Sequence, residues 1–297
     1  MRAGLSALGT APIFALDATF SAYRANLEAA RAEALDKYAL HANYSDVVDA
    51  AVNAWFARRL AAEYPQNFLL SNNAREVVLS CRHTEDTLAF DTAWHFRGEH
   101  STRSRRGPAY ASGLDALASQ VPEDIAVVCR DGERHWIGSL HVCCPNYWSP
   151  AAKIGRDFSA IHEPVAGIDR VTKHANQIVQ LMITRGPFVR AALGLSSDTQ
   201  LNHHPEPPIG ISPHTWHGRG FSVGGALYLR VERQTTFGLP EVGAAIFTIR
   251  TYFVDCRTLA PPAREELSAA IHALTEEQLR YKGLRGYRDV VLQALAV

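Results

Sequence analysis

The chain has 297 residues, 30 basic and 30 acidic side chains, and 47% apolar content, enough to bury the core of one large domain or two small ones. That apolar share with 20% charge excludes disorder, collagen-like sequence and a disulfide scaffold. Zero net charge removes the electrostatic case for nucleic acid or an anionic membrane as partner.

In chain order, residues 1–20 have a short apolar stretch broken by Pro12 and Asp17. That is a poor signal peptide, and no later run approaches the ~20 apolar residues of a membrane helix. A cytoplasmic protein is expected. Residues 20–39, rich in Ala, Leu, Glu and Arg, predict a helix. A second helix should start at Ser45 and Asp46, whose side-chain oxygens can cap exposed N–H groups, and end before Pro65. Val48, Val52, Trp55, Phe56 and Leu60 give it one apolar stripe, read as core.

Strand character begins near Val77. Residues 125–130 and 134–143 flank Asp131-Gly132, the signal of a tight hairpin. A helix is expected over 151–161, ending at His162-Glu163-Pro164, and another over 169–184 with Ile178, Val179, Leu181 and Met182 buried. Pro and Gly make 202–220 a loop. Two long strands, 225–236 and 243–255, precede helices near 263–274 and 276–282. Strands arrive as neighbours and helices in blocks, which favours an α+β fold with an antiparallel sheet. With no linker visible, 1–297 reads as one domain, with a helical extension over about 1–75 and helices from about 260 to the end.

Cys81, Cys129, Cys143, Cys144 and Cys256 fit no zinc ribbon, redox pair or haem-attachment spacing, so they read as buried or free thiols. The predicted 151–161 helix brings Lys153 and Arg156 to one face, able to meet a carboxylate or phosphate. His162 at its end is open to two readings, a metal ligand or a capping, hydrogen-bonded core residue. A second cluster, His203, His204, Glu206, His214 and His217, could supply a non-haem iron or zinc site, but it lies on a Pro-rich loop. Alternation puts Arg230 and Glu232 on one strand face and Arg233 on the other. With Arg250 on the neighbouring strand, they form either a cross-strand ion-pair ladder or an anion site. There is no nucleophile elbow, P-loop or H-E-x-x-H.

Two long motifs carry a resemblance. One reads Gly138-Ser-Leu-His-Val-Cys-Cys-Pro-Asn-Tyr-Trp148, then Lys153-Ile-Gly155, then Phe158-Ser-Ala-Ile-His162-Glu-Pro-Val165. The other runs from Val231-Glu-Arg-Gln-Thr to Phe247-Thr-Ile-Arg-Thr-Tyr252. In order and spacing they resemble the haem-dependent oxidative N-demethylases, which include the haem subunit of dimethylamine monooxygenase.

The resemblance implies a PAS-like antiparallel sheet with packed helices around non-covalent haem b. It implies His162 as proximal iron ligand, an open iron face for O2, and electrons from NAD(P)H through separate flavin and iron–sulfur reductase components. Lys153, Arg156, Arg230 and Arg250 become candidates to pair with haem propionates or substrate. Thr251 and Ser222, with Thr235, become candidate distal or catalytic groups. The implied reaction is oxidation of a carbon next to nitrogen in a small amine, and a homo-oligomer is compatible with it. A haem-based sensor is the rival reading, with a non-haem metal enzyme on the 203–217 loop as a third. One stretch departs from the family pattern: Arg-x-Asn-Trp-Ser is replaced by Arg190-Ala-Ala-Leu-Gly-Leu-Ser-Ser-Asp198. That leaves room for a changed substrate, or for other haem oxidation such as N-oxygenation.

Overall fold

A computed structural model of the protein describes residues 4–102, 107–163, 165, 172–217 and 220–296. Two antiparallel sheets with flanking helices make an α+β fold. The larger sheet has seven strands in the order β1 (Ser6–Ala7), β9 (Phe188–Ser196), β10 (Tyr228–Leu239), β11 (Ala244–Asp255), β7 (Asp124–Asp131), β8 (Arg134–His141) and β2 (Ala39–His41). The smaller holds β3 (Phe68–Asn72), β4 (Glu76–Cys81), β5 (Asp86–Asp91) and β6 (Phe96–Ser101) in chain order.

Helix α1 (Phe20–Tyr38) and helix α2 (Asp46–Glu63) fall where composition and capping place them. Ser45 accepts a hydrogen bond from the Val48 N–H, and Asp46 and Asp49 set negative charge against the positive end of the α2 dipole. With α3 (Gly113–Ala118), α2 fills the space between the sheets. One core runs from Phe68, Leu79 and Phe90 through Phe56, Leu60 and Leu114 to Ile125, Val127 and Ile246. A buried ion pair ties α1 to α3: Arg31 donates through Nε and Nη2 to the two Asp115 oxygens at 2.9 and 2.8 Å.

Helices α4 (Phe158–His162) and α5 (Ala175–Thr184) lie on the far face of the large sheet. Val179, Met182 and Ile183 pack there on Val128, Ala245 and Phe247. A one-turn helix, α6 (Pro213–His217), interrupts the predicted 202–220 loop. Helices α7 (Pro261–His272), α8 (Glu276–Tyr281) and α9 (Arg288–Leu295) bury Ile271, Leu279 and Val291 against Leu227 and Leu229. All five cysteines are free and buried.

Three expectations change. The stretch 1–75 is not helical throughout, since it also carries β1, β2 and β3. Strand β3 has only five residues, and β6 is largely polar, so neither alternates clearly enough to be read from sequence. The 151–161 segment is not one helix. It is a 3-10 turn at Pro150–Ala152, a break at Gly155 with φ +74°, and a fresh start at α4, where Asp157 accepts from the Ala160 N–H at 2.8 Å. Only glycine adopts that φ without strain, so Lys153 and Arg156 share no helix face. Lastly, the predicted 169–184 helix is seen from Ala175 as α5, and Leu181, expected to be buried, is exposed, whereas Val179 and Met182 are buried; residues 169–171 lie outside the described residues.

Gly238 of β10 lies where α5 crosses the sheet. A Cβ at that position would stand 2.0 Å from the Ile183 carbonyl oxygen, which belongs to the backbone of α5. Gly238→Ala must therefore lift α5 from the sheet. We expect a loss of about 2 kcal/mol or more, read from the urea midpoint. A change below about 0.5 kcal/mol would show that α5 is not seated this way.

Candidate functional site

Antiparallel partners share a sheet face. Strand β10 presents Arg230, Glu232 and Gln234 on one face, beside Gly194, Ala192 and Arg190 of β9 and Phe253, Thr251 and Ile249 of β11. Phe247, two residues before Ile249, packs with α5, so this is the face that carries α4 and α5. A polar chain crosses it. Arg190 Nε donates to Gln234 Oε1 at 2.6 Å, and Gln234 Nε2 donates to Glu232 Oε2 at 3.0 Å. Arg230 Nη2 lies 3.3 Å from Glu232 Oε1 and donates to Thr251 Oγ1 at 3.1 Å and the Cys144 carbonyl at 3.3 Å. Arg230 is only 3% exposed, and its Nε and Nη1 are buried without a hydrogen-bond partner.

His162 closes α4. Its Nδ1 donates to the Phe158 carbonyl at 2.7 Å. A carbonyl only accepts, so Nδ1 carries the proton and Nε2 keeps its lone pair. Burial holds this imidazole below its ordinary pKa, and the Lys153 and Arg190 cations push the same way. Lys153 Nζ sits 4.2 Å from the Trp148 ring centroid. Neighbouring protein lowers the pKa of half-buried Lys153 and of the more exposed Arg190 and Lys282, and for each the opposing charge is Glu232. Lys282, just past α8, donates to the Leu193 carbonyl of β9 at 3.0 Å. Lys153, Arg190, Arg230 and Lys282 thus gather around one carboxylate, and His162 feels two of these cations, Lys153 and Arg190.

The segment that carries Trp148 and Lys153 is anchored by Asp124, the first residue of β7. Its Oδ1 accepts the Cys143 and Cys144 N–H groups at 2.7 and 3.0 Å, which turns the chain out of β8. This aims the Cys144 carbonyl at Arg230. Burial pushes both thiols well up, so neither supplies a thiolate.

The sequence candidates separate. His162, Lys153, Arg230 and Thr251 come together, with the Thr251 hydroxyl already accepting from Arg230. Arg156 is exposed, its Nη1 donating to the Ala152 carbonyl at 3.4 Å. Ser222 lies on an exposed loop, where its carbonyl accepts from Gly225. Arg250, expected beside the propionates, is on the opposite sheet face. It donates to Asp17 at 3.1 and 3.2 Å and to Thr19 at 2.6 Å, over the Tyr23 ring. Nor is there an ion-pair ladder: Arg250 pairs in register with Arg233, which donates to the Pro12 and Ile13 carbonyls. Thr235 is buried against Thr248.

On the 203–217 loop, His203 stacks on Tyr147 at 4.7 Å, whereas His204 stands edge-on to Tyr38. Among the described residues no three His, Cys, Asp or Glu side chains converge on a metal position. Sequence reasoning missed Arg190, Gln234 and Lys282, and treated Glu232 only as a ladder partner. The available signal was Arg-x-Glu-x-Gln on one strand, three polar groups on a face that must pack. The segment departing from the family pattern is β9 itself, with Ala192 opposite Glu232.

The family model described as haem-dependent oxidative N-demethylase, alpha subunit-like matches residues 4–292. The chain belongs to that family, whose name is that of one subunit of an oxidoreductase. None of the described helices is long and apolar enough to cross a membrane.

Burial raises the Asp124 carboxyl from 3.8 to about 7, against the pull of His141 and Arg230. A raised carboxyl contributes stability in full below the unfolded pKa and loses it as pH rises toward the folded one. Wild type should therefore lose about 2 kcal/mol relative to Asp124→Asn between pH 5 and 8. Urea midpoints across that range check this; parallel curves would contradict it.

Proposed function

We propose that this protein is the haem-carrying subunit of a monooxygenase that removes an alkyl group from a small amine, with a PAS-like sheet holding haem b through Nε2 of His162. The observation that carries this reading is the His162 tautomer. A hydrogen bond to Phe158 commits Nδ1 and leaves Nε2 as a neutral donor, the state an iron ligand requires. The surroundings fit the same group. Lys153, Arg190 and Lys282 stand around Glu232 at the site, and haem propionates require such cations.

When bound, haem would supply O2 activation, with electrons from NAD(P)H arriving through a separate flavin and iron–sulfur reductase. The residues of this chain have distinct tasks. His162 holds the cofactor, and Lys153, Arg190 and Lys282 neutralise its carboxylates. Glu232, held by Gln234, receives the substrate ammonium, while Ile249 and Phe253 supply apolar surface beside it. In balance, an N-alkyl amine, O2, two electrons and two protons give the dealkylated amine, an aldehyde and water.

The test is an absorption spectrum of the haem-supplemented protein, oxidised, then with dithionite and CO. A stoichiometric Soret band that shifts with CO is expected, and His162→Ala should lose it while keeping its far-UV circular dichroism. Absence of the band in the wild type, or its persistence in the variant, overturns the assignment. A CO-responsive band without amine turnover in the presence of reductase would favour a haem sensor.

A further inference from the structure

The sheet face that holds Glu232 carries a paired charge pattern. Arg230 and Glu232 stand side by side on β10, 3.3 Å apart. Arg230 is almost wholly buried, yet only its Nη2 is bonded; Nε and Nη1 lack partners. Unbonded guanidinium nitrogens in a dry site cost free energy unless a ligand or water meets them. Nη2 is already taken by Thr251 and Cys144, so the unbonded Nη1 amino group is the one that can donate a charge-assisted hydrogen bond to a carboxylate oxygen. Glu232 next to it supplies the complementary negative charge. On β9, the residues opposite these two are Gly194 and Ala192, and a Cβ at Gly194 would meet nothing within 4 Å. The strip beside the charged pair therefore has room for a substituent larger than methyl.

We propose that the substrate is a zwitterion, an N-alkylated amino acid, with its carboxylate on Arg230, its ammonium on Glu232 and its side chain over Ala192 and Gly194. The inference rests on the N-dealkylase reading above and narrows it from small amines in general. Rim cations Lys153, Arg190 and Lys282 serve the cofactor, and Arg230 serves the substrate. The reaction balances as before: N-methylamino acid, O2, two electrons and two protons from the NAD(P)H-fed reductase give the primary amino acid, formaldehyde and water.

The experiment titrates the haem-loaded full chain with N-methylglycine, N-methyl-L-leucine and dimethylamine, following the Soret band and binding heat. Both zwitterions should bind at least about tenfold more tightly than dimethylamine, a difference of about 1.4 kcal/mol, with N-methyl-L-leucine the tighter. Arg230→Gln should erase that preference while keeping full haem loading. Wild-type preference for dimethylamine, or equal affinity for all three, overturns the proposal without any variant. Loss of haem from Arg230→Gln with His162 intact also overturns it, since Arg230 would then be a propionate partner. No Soret band in the wild type sinks the haem reading and this inference together, an outcome distinct from a band without selectivity.

Discussion

The candidate site depends on one buried carboxylate. Asp124 accepts two consecutive backbone N–H groups at Cys143 and Cys144, turning the chain leaving β8 onto the face of the sheet. Every site residue between Trp148 and His162 follows from that turn, and the carbonyl that steadies Arg230 belongs to it. A carboxylate can do this in a dry interior only because its lone pairs are met by donors. The backbone N–H groups, with His141 and Arg230 nearby, offset part of the burial cost.

The large sheet has two faces with opposite tasks. One packs on α2 and α3 with Ile125, Val127 and Ile246, and the other opens toward α4 and α5 with the chain from Arg190 to Arg230. Strand alternation sends arginines both ways, and the fold treats the two sets differently. Arg233 and Arg250, opposite one another in register, are each taken up by the N-terminal segment: Pro12, Ile13, Asp17 and Thr19. Glu63 and Glu123 hold the same segment through the Ile13 and Ala15 N–H groups. That segment quenches the charge on the packed face. On the open face Arg190 and Arg230 keep spare capacity, and the proposed cofactor and substrate sites lie there. The His162 tautomer and the cations around Glu232 are what support that proposal.

Much of the fold was legible. The capped α2 helix, the Asp-Gly hairpin and the two long strands follow from local rules acting over a few residues. The family motifs marked His162, Lys153 and the strand carrying Glu232. The second sheet was only half visible, since β3 is short and β6 polar. The break before α4 was hidden because Ala, Lys, Ile and Arg around Gly155 all suit a helix, whereas the backbone there takes a left-handed turn.

By itself the sequence determined which residues share a strand face, because a period of two is a property of the extended backbone. It placed Arg230 with Glu232 and Arg233 apart from both. It did not determine what each face meets. Arg250 and Arg190 look alike in sequence, yet one is locked by Asp17, 233 residues away, and the other enters the site through its pairing with Gln234 across β9 and β10. Only the tertiary structure decides between them, because register and long-range packing set the partners of a charge, and those partners decide whether it holds the fold or is left for a ligand.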